Sequence, residues 1–230
     1  MSRFQTYIFD FDGTLADTLP LCFESFRMAI YASLGQVMSD DEICAYFGPS
    51  EEVIIRGIVS DRNGKAPGSV TFPQWELPDK DLLSDYAINF FYWAYGELFD
   101  RYISDSSSVI VKDVLQQLRA RGGKVALVTG KGRRSTAITL DRMGIADLFD
   151  VVVTDDDVAR PKPSPDGLLL VLDSLSASRE GAVFVGDMDA DVEAARRARV
   201  TSVGAAWYKP SISSGRPDLW ARELGELLSL

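Results

Sequence analysis

Six residues at or downstream of the ends of apolar runs have the types and spacing to do chemistry: Asp10, Asp12, Thr129, Lys162, Asp187 and Asp191. Asp10 and Asp12 follow Tyr7-Ile8-Phe9 and are separated only by Phe11. Two carboxylates so close repel unless a cation lies between them or one holds a proton. Gly13 lets the chain turn sharply and brings backbone close to a ligand, and Thr14 adds a hydroxyl and an amide. Lys124–Val128 delivers Thr129-Gly130-Lys131, and Val151–Val153 leads through Asp155-Asp156-Asp157 to Lys162 between two prolines. Ala182–Val185 empties into Gly186-Asp187, with Asp191 four residues on. Taken singly, each has an ordinary structural explanation: a turn dipeptide, a solvated loop lysine, an N-cap, a first-turn acid favoured by the helix dipole.

The elements that must position these groups follow from the pattern. Short apolar runs read as buried strands. After Val109 they alternate with helical segments, over 110–121, 132–143 and about 189–199, the sign of a parallel sheet with right-handed crossovers. Ser164 is expected to cap a further helix with Pro165 at its first position, and 217–230 reads as a closing amphipathic helix. Ligands of such sheets bind at the carboxyl ends of the strands, so the polar groups should gather in one crevice. Between 18 and 106 the chain reads as helix and loop. Thr18 can cap a helix with Pro20 in its first turn, and Gly35 ends it. Ser39–Glu42 forms a capping box for the next helix, which should stop at Gly48-Pro49, and Ser50 opens another. Residues 60–80 read as an irregular loop with several prolines, read as an insertion. A long aromatic-rich helix then runs from about Asp79 to Tyr102. The expected fold is α/β, a Rossmann-like parallel sheet flanked by helices, with residues 1–17 and 107–230 forming the core and 18–106 a helical insertion.

Composition excludes several functions. The chain contains no histidine, which removes Ser-His-Asp, Cys-His and His-ligated zinc chemistry. The net charge of −10 argues against nucleic acid or an anionic membrane as partner. No apolar run reaches the ~18 residues of a membrane span. The first strand starts almost at once, so no signal peptide is expected. Cys22 and Cys44 fall in helical segments and read as small core residues rather than a disulfide, which points to a reduced, cytoplasmic setting. An anionic substrate would need local cations against the overall field.

In order and at strand ends, Asp10-x-Asp12, Thr129, Lys162 and Gly186-Asp187-x-x-x-Asp191 resemble the four motifs of the haloacid dehalogenase superfamily, specifically its phosphatases. The resemblance covers essentially the whole chain, weakest from 60 to 80, and makes the helical stretch 18–106 an inserted cap. It implies a Mg²⁺-dependent phosphatase. Asp10 would be the nucleophile and Asp12 the general acid and base. Thr129 and Lys162 would complete the catalytic set, with Thr14, Gly130 and Lys131 near the phosphate. Mg²⁺ would be held by Asp10, Asp12 (through its carbonyl), Asp187 and Asp191. Phe47-Gly48-Pro49 after a helix is similar to the cap's specificity loop in phosphoglycolate phosphatases, so Gly48, Pro49 and Ser50 become substrate-binding candidates and phosphoglycolate the first substrate to try.

Three features bear on this resemblance. Relatives often carry Thr-Asn-Lys where this chain has Thr129-Gly130-Lys131, and Ser where it has Met188. The superfamily's dehalogenases lack a counterpart of Asp12. A phosphonoacetaldehyde hydrolase would need a lysine early in the cap, and the first one after Asp12 is Lys65. The alternatives are a sugar phosphomutase of the same fold and a non-catalytic phosphoryl- or metal-binding module. The expected partner is a small phosphorylated metabolite, with no nucleic acid and no membrane, and the protein a monomer or homodimer.

Overall fold

A computed structural model describes residues 3–48, 50–63, 79–208 and 212–230. Its strands are β1 (Thr6–Phe9), β2 (Lys124–Val128), β3 (Val151–Val153), β4 (Ala182–Gly186), β5 (Thr201–Ala205) and β6 (Leu219–Ala221). They form one sheet in the order β3-β2-β1-β4-β5-β6, and every neighbouring pair is parallel. The helices are α1 (Leu19–Leu34), α2 (Asp40–Cys44), α3 (Glu51–Arg62), α4 (Lys80–Tyr102), α5 (Asp105–Ala120), α6 (Arg133–Arg142), α7 (Asp166–Ser174) and α8 (Asp189–Ala198). The chain divides into two compact units, Met1–Thr18 with Ile103–Leu230, and Leu19–Tyr102.

In the first unit the expected parallel α/β sheet is present. From β1 the chain steps outward through β2 to β3, then returns to place β4 on the other side of β1. The order therefore reverses between β1 and β4, the place where such sheets open a ligand crevice. Phe9 aligns with Leu127 on one side and Val185 on the other, and the Asp10 amide extends the ladder by donating to the Val185 carbonyl at 2.9 Å. Strands covered on both faces read as continuous apolar runs, which is why these segments were legible. Ile8, Ala126, Val128 and Phe184 pack with Leu168 and Val171 of α7 and with Ala194, Ala195 and Ala198 of α8 in one buried cluster.

The second unit is helical in its described residues. α1 packs chiefly on α4, with the Phe26 and Phe91 ring centroids 4.6 Å apart. Of the α4 aromatics, Phe91, Tyr95 and Phe99 are buried, whereas Tyr86 and Trp93 face outward. The Ser39 capping box is formed, with Glu42 reaching back to the Ser39 amide, and Gly35 ends α1 at φ 65°. Most of the irregular loop expected at 60–80 lies outside the described residues.

Several local expectations are corrected. Residues 217–230 do not form one amphipathic α-helix. Asp218 accepts the Ser202 amide and hydroxyl at 2.8 Å each, starting β6 on the sheet edge, and a 3-10 turn over Leu224–Ser229 follows. Tertiary pairing overrides the helical periodicity here. α5 begins at Asp105 rather than 110 because the Ser104 hydroxyl caps the Ser107 amide. α2 ends at Cys44, short of Gly48, and α7 begins one residue late with Pro165 as its N-cap. The Thr18 hydroxyl donates to Asp12, the first of the site contacts. Neither cysteine forms a disulfide; Cys22 is buried as expected, but Cys44 is exposed and no part of a core.

Candidate active site

Asp10, Asp187 and Asp191 converge at the β1/β4 crevice, all buried. One carboxylate oxygen from each lies within 4.8 Å of the others. β1 ends at Phe9 and β4 at Gly186, and their register, Phe9 opposite Val185, brings Asp10 and Asp187 out at the same sheet edge. Asp191 stands in the first turn of α8, and its Oδ2 accepts the Met188 amide at 3.0 Å. Met188 thus serves through its backbone, which lets the side chain depart from serine without loss of that contact. Lys162 enters from the loop before α7 and donates to Asp10 Oδ1 at 2.5 Å and Asp191 Oδ1 at 2.7 Å.

One ammonium cannot offset three buried carboxylates. Burial pushes Asp10 up to about 8, with Asp191 adding to the rise against the pull of Lys162. Burial and then Asp191 raise Asp187 to about 7. Burial opposes the charge of Lys162, but Asp10 and Asp191 together hold its ammonium firmly protonated. An excess of hard oxygen donors in a buried pocket fits a divalent cation of the Mg²⁺ type.

Asp12 points into a different cluster. Its Oδ1 accepts the Lys131 ammonium at 3.2 Å and the Thr18 hydroxyl. The Lys131 side chain is 2% exposed and that of Asp12 28%. The Lys131 amide in turn donates to Thr129 Oγ1 at 3.2 Å, and Thr129, Gly130 and Lys162 line one small hollow.

The backbone is shaped around these carboxylates at two glycines. Gly13 has φ 80°, and a Cβ there would lie 2.4 Å from Asp187 Oδ2. A Cβ on Gly186 would sit 2.5 Å from the Asp191 side chain. Thr14 lies behind the site rather than facing a substrate: it is fully buried, its amide donates to the Phe11 carbonyl at 3.1 Å and its hydroxyl to Asp187 Oδ1 at 3.3 Å. The Thr14 carbonyl accepts the Trp207 indole N–H at 2.7 Å.

Asp10, Asp12, Thr14, Thr129, Gly130, Lys131, Lys162, Asp187 and Asp191 therefore all belong to the first unit. Gly48 and Ser50 belong to the second, where Gly48 is exposed and Ser50 is the buried N-cap of α3; Pro49 lies outside the described residues. Trp207 escaped the sequence reading, although it follows β5 and so stands at the same sheet edge as the other groups.

Comparison with known proteins bears on the family and the fold. The family model of haloacid dehalogenase-like hydrolases matches residues 7–205. A phosphoglycolate phosphatase of Escherichia coli K12 is 31% identical over 96% of this chain and 89% of its own length. The crystal structure of a predicted phosphoglycolate phosphatase from Haemophilus somnus 129PT superposes with TM-score 0.77 at 24% identity, covering 100% of this chain and 98% of the other. CbbY from Rhodobacter sphaeroides, in complex with phosphate, gives 0.74 at 21% identity over 99% and 100%. With the match spanning nearly the whole chain, the protein belongs to the haloacid dehalogenase-like hydrolase family.

Proposed function

We propose that the protein is a Mg²⁺-dependent phosphatase that hydrolyses a small phosphorylated metabolite, phosphoglycolate being the first candidate, through an aspartyl-phosphate at Asp10. The observation that carries this reading is the buried triad Asp10, Asp187 and Asp191, in which Lys162 is the one ammonium bonded to the carboxylates among the described residues. The likeness to the Escherichia coli phosphoglycolate phosphatase supports the substrate class. Asp10, Asp187 and the Asp12 carbonyl would hold the metal, with Asp191 orienting the loop. Bound there, the metal offsets the charge of the phosphate and of Asp10.

The chain's own groups carry the proton and phosphoryl steps. An Asp10 carboxylate oxygen attacks phosphorus as the ester bond to the alcohol breaks, and Asp12 gives the departing oxygen its proton. Asp12 then takes a proton from water, whose oxygen attacks phosphorus and releases phosphate, restoring the Asp10 carboxylate. Thr129 and the amides at Gly130 hold phosphoryl oxygens, and Lys162 stabilises charge built up in both steps. The helical unit acts as a cap, with Gly48, Pro49 and Ser50 setting substrate preference. The protein acts in the cytoplasm as a monomer or homodimer, the compartment being consistent with two cysteines that form no disulfide.

Phosphate release from phosphoglycolate and a panel of sugar phosphates, with Mg²⁺ or with EDTA, tests the reading. Hydrolysis should require Mg²⁺ and vanish in Asp187→Asn. Full turnover in EDTA, or an isomerised sugar phosphate in place of free phosphate, overturns it.

A further inference from the structure

We propose that Trp207 is a positioning residue for the Asp187 carboxylate, acting through Thr14. The proposal rests on the reading of Asp187 as a metal ligand. Trp207 follows β5, two strands away from β1, yet its indole N–H reaches the Thr14 carbonyl at 2.7 Å across a sequence separation of 193. Thr14 is thereby held at three points. Its amide is fixed by Phe11, its carbonyl by Trp207, and its hydroxyl is delivered to Asp187 Oδ1.

The last contact is the weak one. At 3.3 Å the Thr14–Asp187 bond is already long, and a few tenths of an ångström more removes it. Gly13, whose missing Cβ leaves room for Asp187 Oδ2, sits on the same loop. The position of this loop therefore sets both how Asp187 is oriented and how closely backbone approaches it. Without the indole, the Thr14 carbonyl is a buried acceptor with no donor from that side, and the loop must shift to find one. Partners that orient metal-binding side chains are worth about 10–100-fold in metal affinity. Trp207 acts one step further out and should be near the lower end.

Trp207→Phe keeps an aromatic ring and deletes the N–H. Calorimetric titration with Mg²⁺ should show a Kd raised about tenfold, and Thr14→Val a rise of similar size or more. Because both act through one contact, the double variant should lose much less than the product of the two. In the metal-free protein, amide exchange at residues 13–16 should be faster in Trp207→Phe, with global protection unchanged. A Kd within twofold of the parent, losses that multiply in full, or unchanged exchange at 13–16 overturns the proposal. A parent protein that binds no Mg²⁺ sinks the metal reading of Asp187 itself, which is a separate result.

Discussion

Two clusters lie on either side of the buried Phe11, and they differ in charge balance. Asp10 joins Asp187 and Asp191 around one ammonium, all nearly shut off from solvent. Asp12 is met by the Lys131 ammonium and the Thr18 hydroxyl and keeps a partly open face. The first cluster is short of positive charge, which the proposed cation would offset. The second pairs its carboxylate with an ammonium, the setting proposed above for the acid and base. Neighbouring residues of one turn thus supply two environments, which is what separate roles for two identical side chains require.

The largest test of that division compares the two aspartates. Asp10→Asn removes the attacking oxygen, so activity should vanish for every ester and no phosphoprotein should form. Asp12→Asn should slow an alkyl phosphate by roughly a hundredfold or more. With an activated aryl phosphate it should give a burst of phenol and a protein phosphorylated at Asp10. Equal, complete loss in both, with no trapped phosphoprotein, would break the division.

The lysines should separate in the same way but less sharply. Lys162→Met strips the ammonium from the carboxylate cluster, and activity should fall by roughly 10²–10³ while Mg²⁺ binds no more weakly. Lys131→Met should cost about tenfold in kcat, below the usual range for losing an acid–base group outright, with Mg²⁺ affinity within twofold. Weakened Mg²⁺ binding in Lys131→Met would merge the two clusters into one.

The smallest effect is on stability. Asp10 and Asp187 titrate at about 8 and about 7 in the folded metal-free protein against 3.8 for an unperturbed aspartate. Between these values the folded state holds protons that the unfolded chain releases, so the contribution is fully present below pH ~4 and is lost as pH rises through 7 to 8. In EDTA the Tm should fall over that range, and Asp187→Asn should flatten the fall. Mg²⁺ should release protons on binding and stabilise more at pH 8 than at pH 6. A Tm profile identical in parent and Asp187→Asn would remove the charge excess from the account.

What was legible in the sequence was what short local runs can carry. Tyr7–Phe9 and Ala182–Val185 announce buried strands by composition, and their pairing in register then brings Asp10 and Asp187 out at one sheet edge. The edge strand β6 was not legible, because Leu219–Ala221 is a strand only through its pairing with β5 and the Asp218–Ser202 contact. The Lys131–Asp12 pair and the Trp207–Thr14 bond were hidden for the same reason: each joins residues more than a hundred positions apart, 119 and 193. Thr14 was assigned by its chemistry alone, and only packing tells that its hydroxyl is turned inward.

The central position of β1 also has a consequence during synthesis. Tyr7 leaves the ribosome early, but its neighbours Val125 and Val183 follow only 118 and 176 residues later (125 − 7 and 183 − 7). Meanwhile the whole of Leu19–Tyr102 has been made and can settle into its own helices. A nascent chain stalled before Val185 therefore carries an apolar strand, Thr6–Phe9, with one edge still unpaired. That edge is available to chaperones or to other nascent chains until β4 arrives.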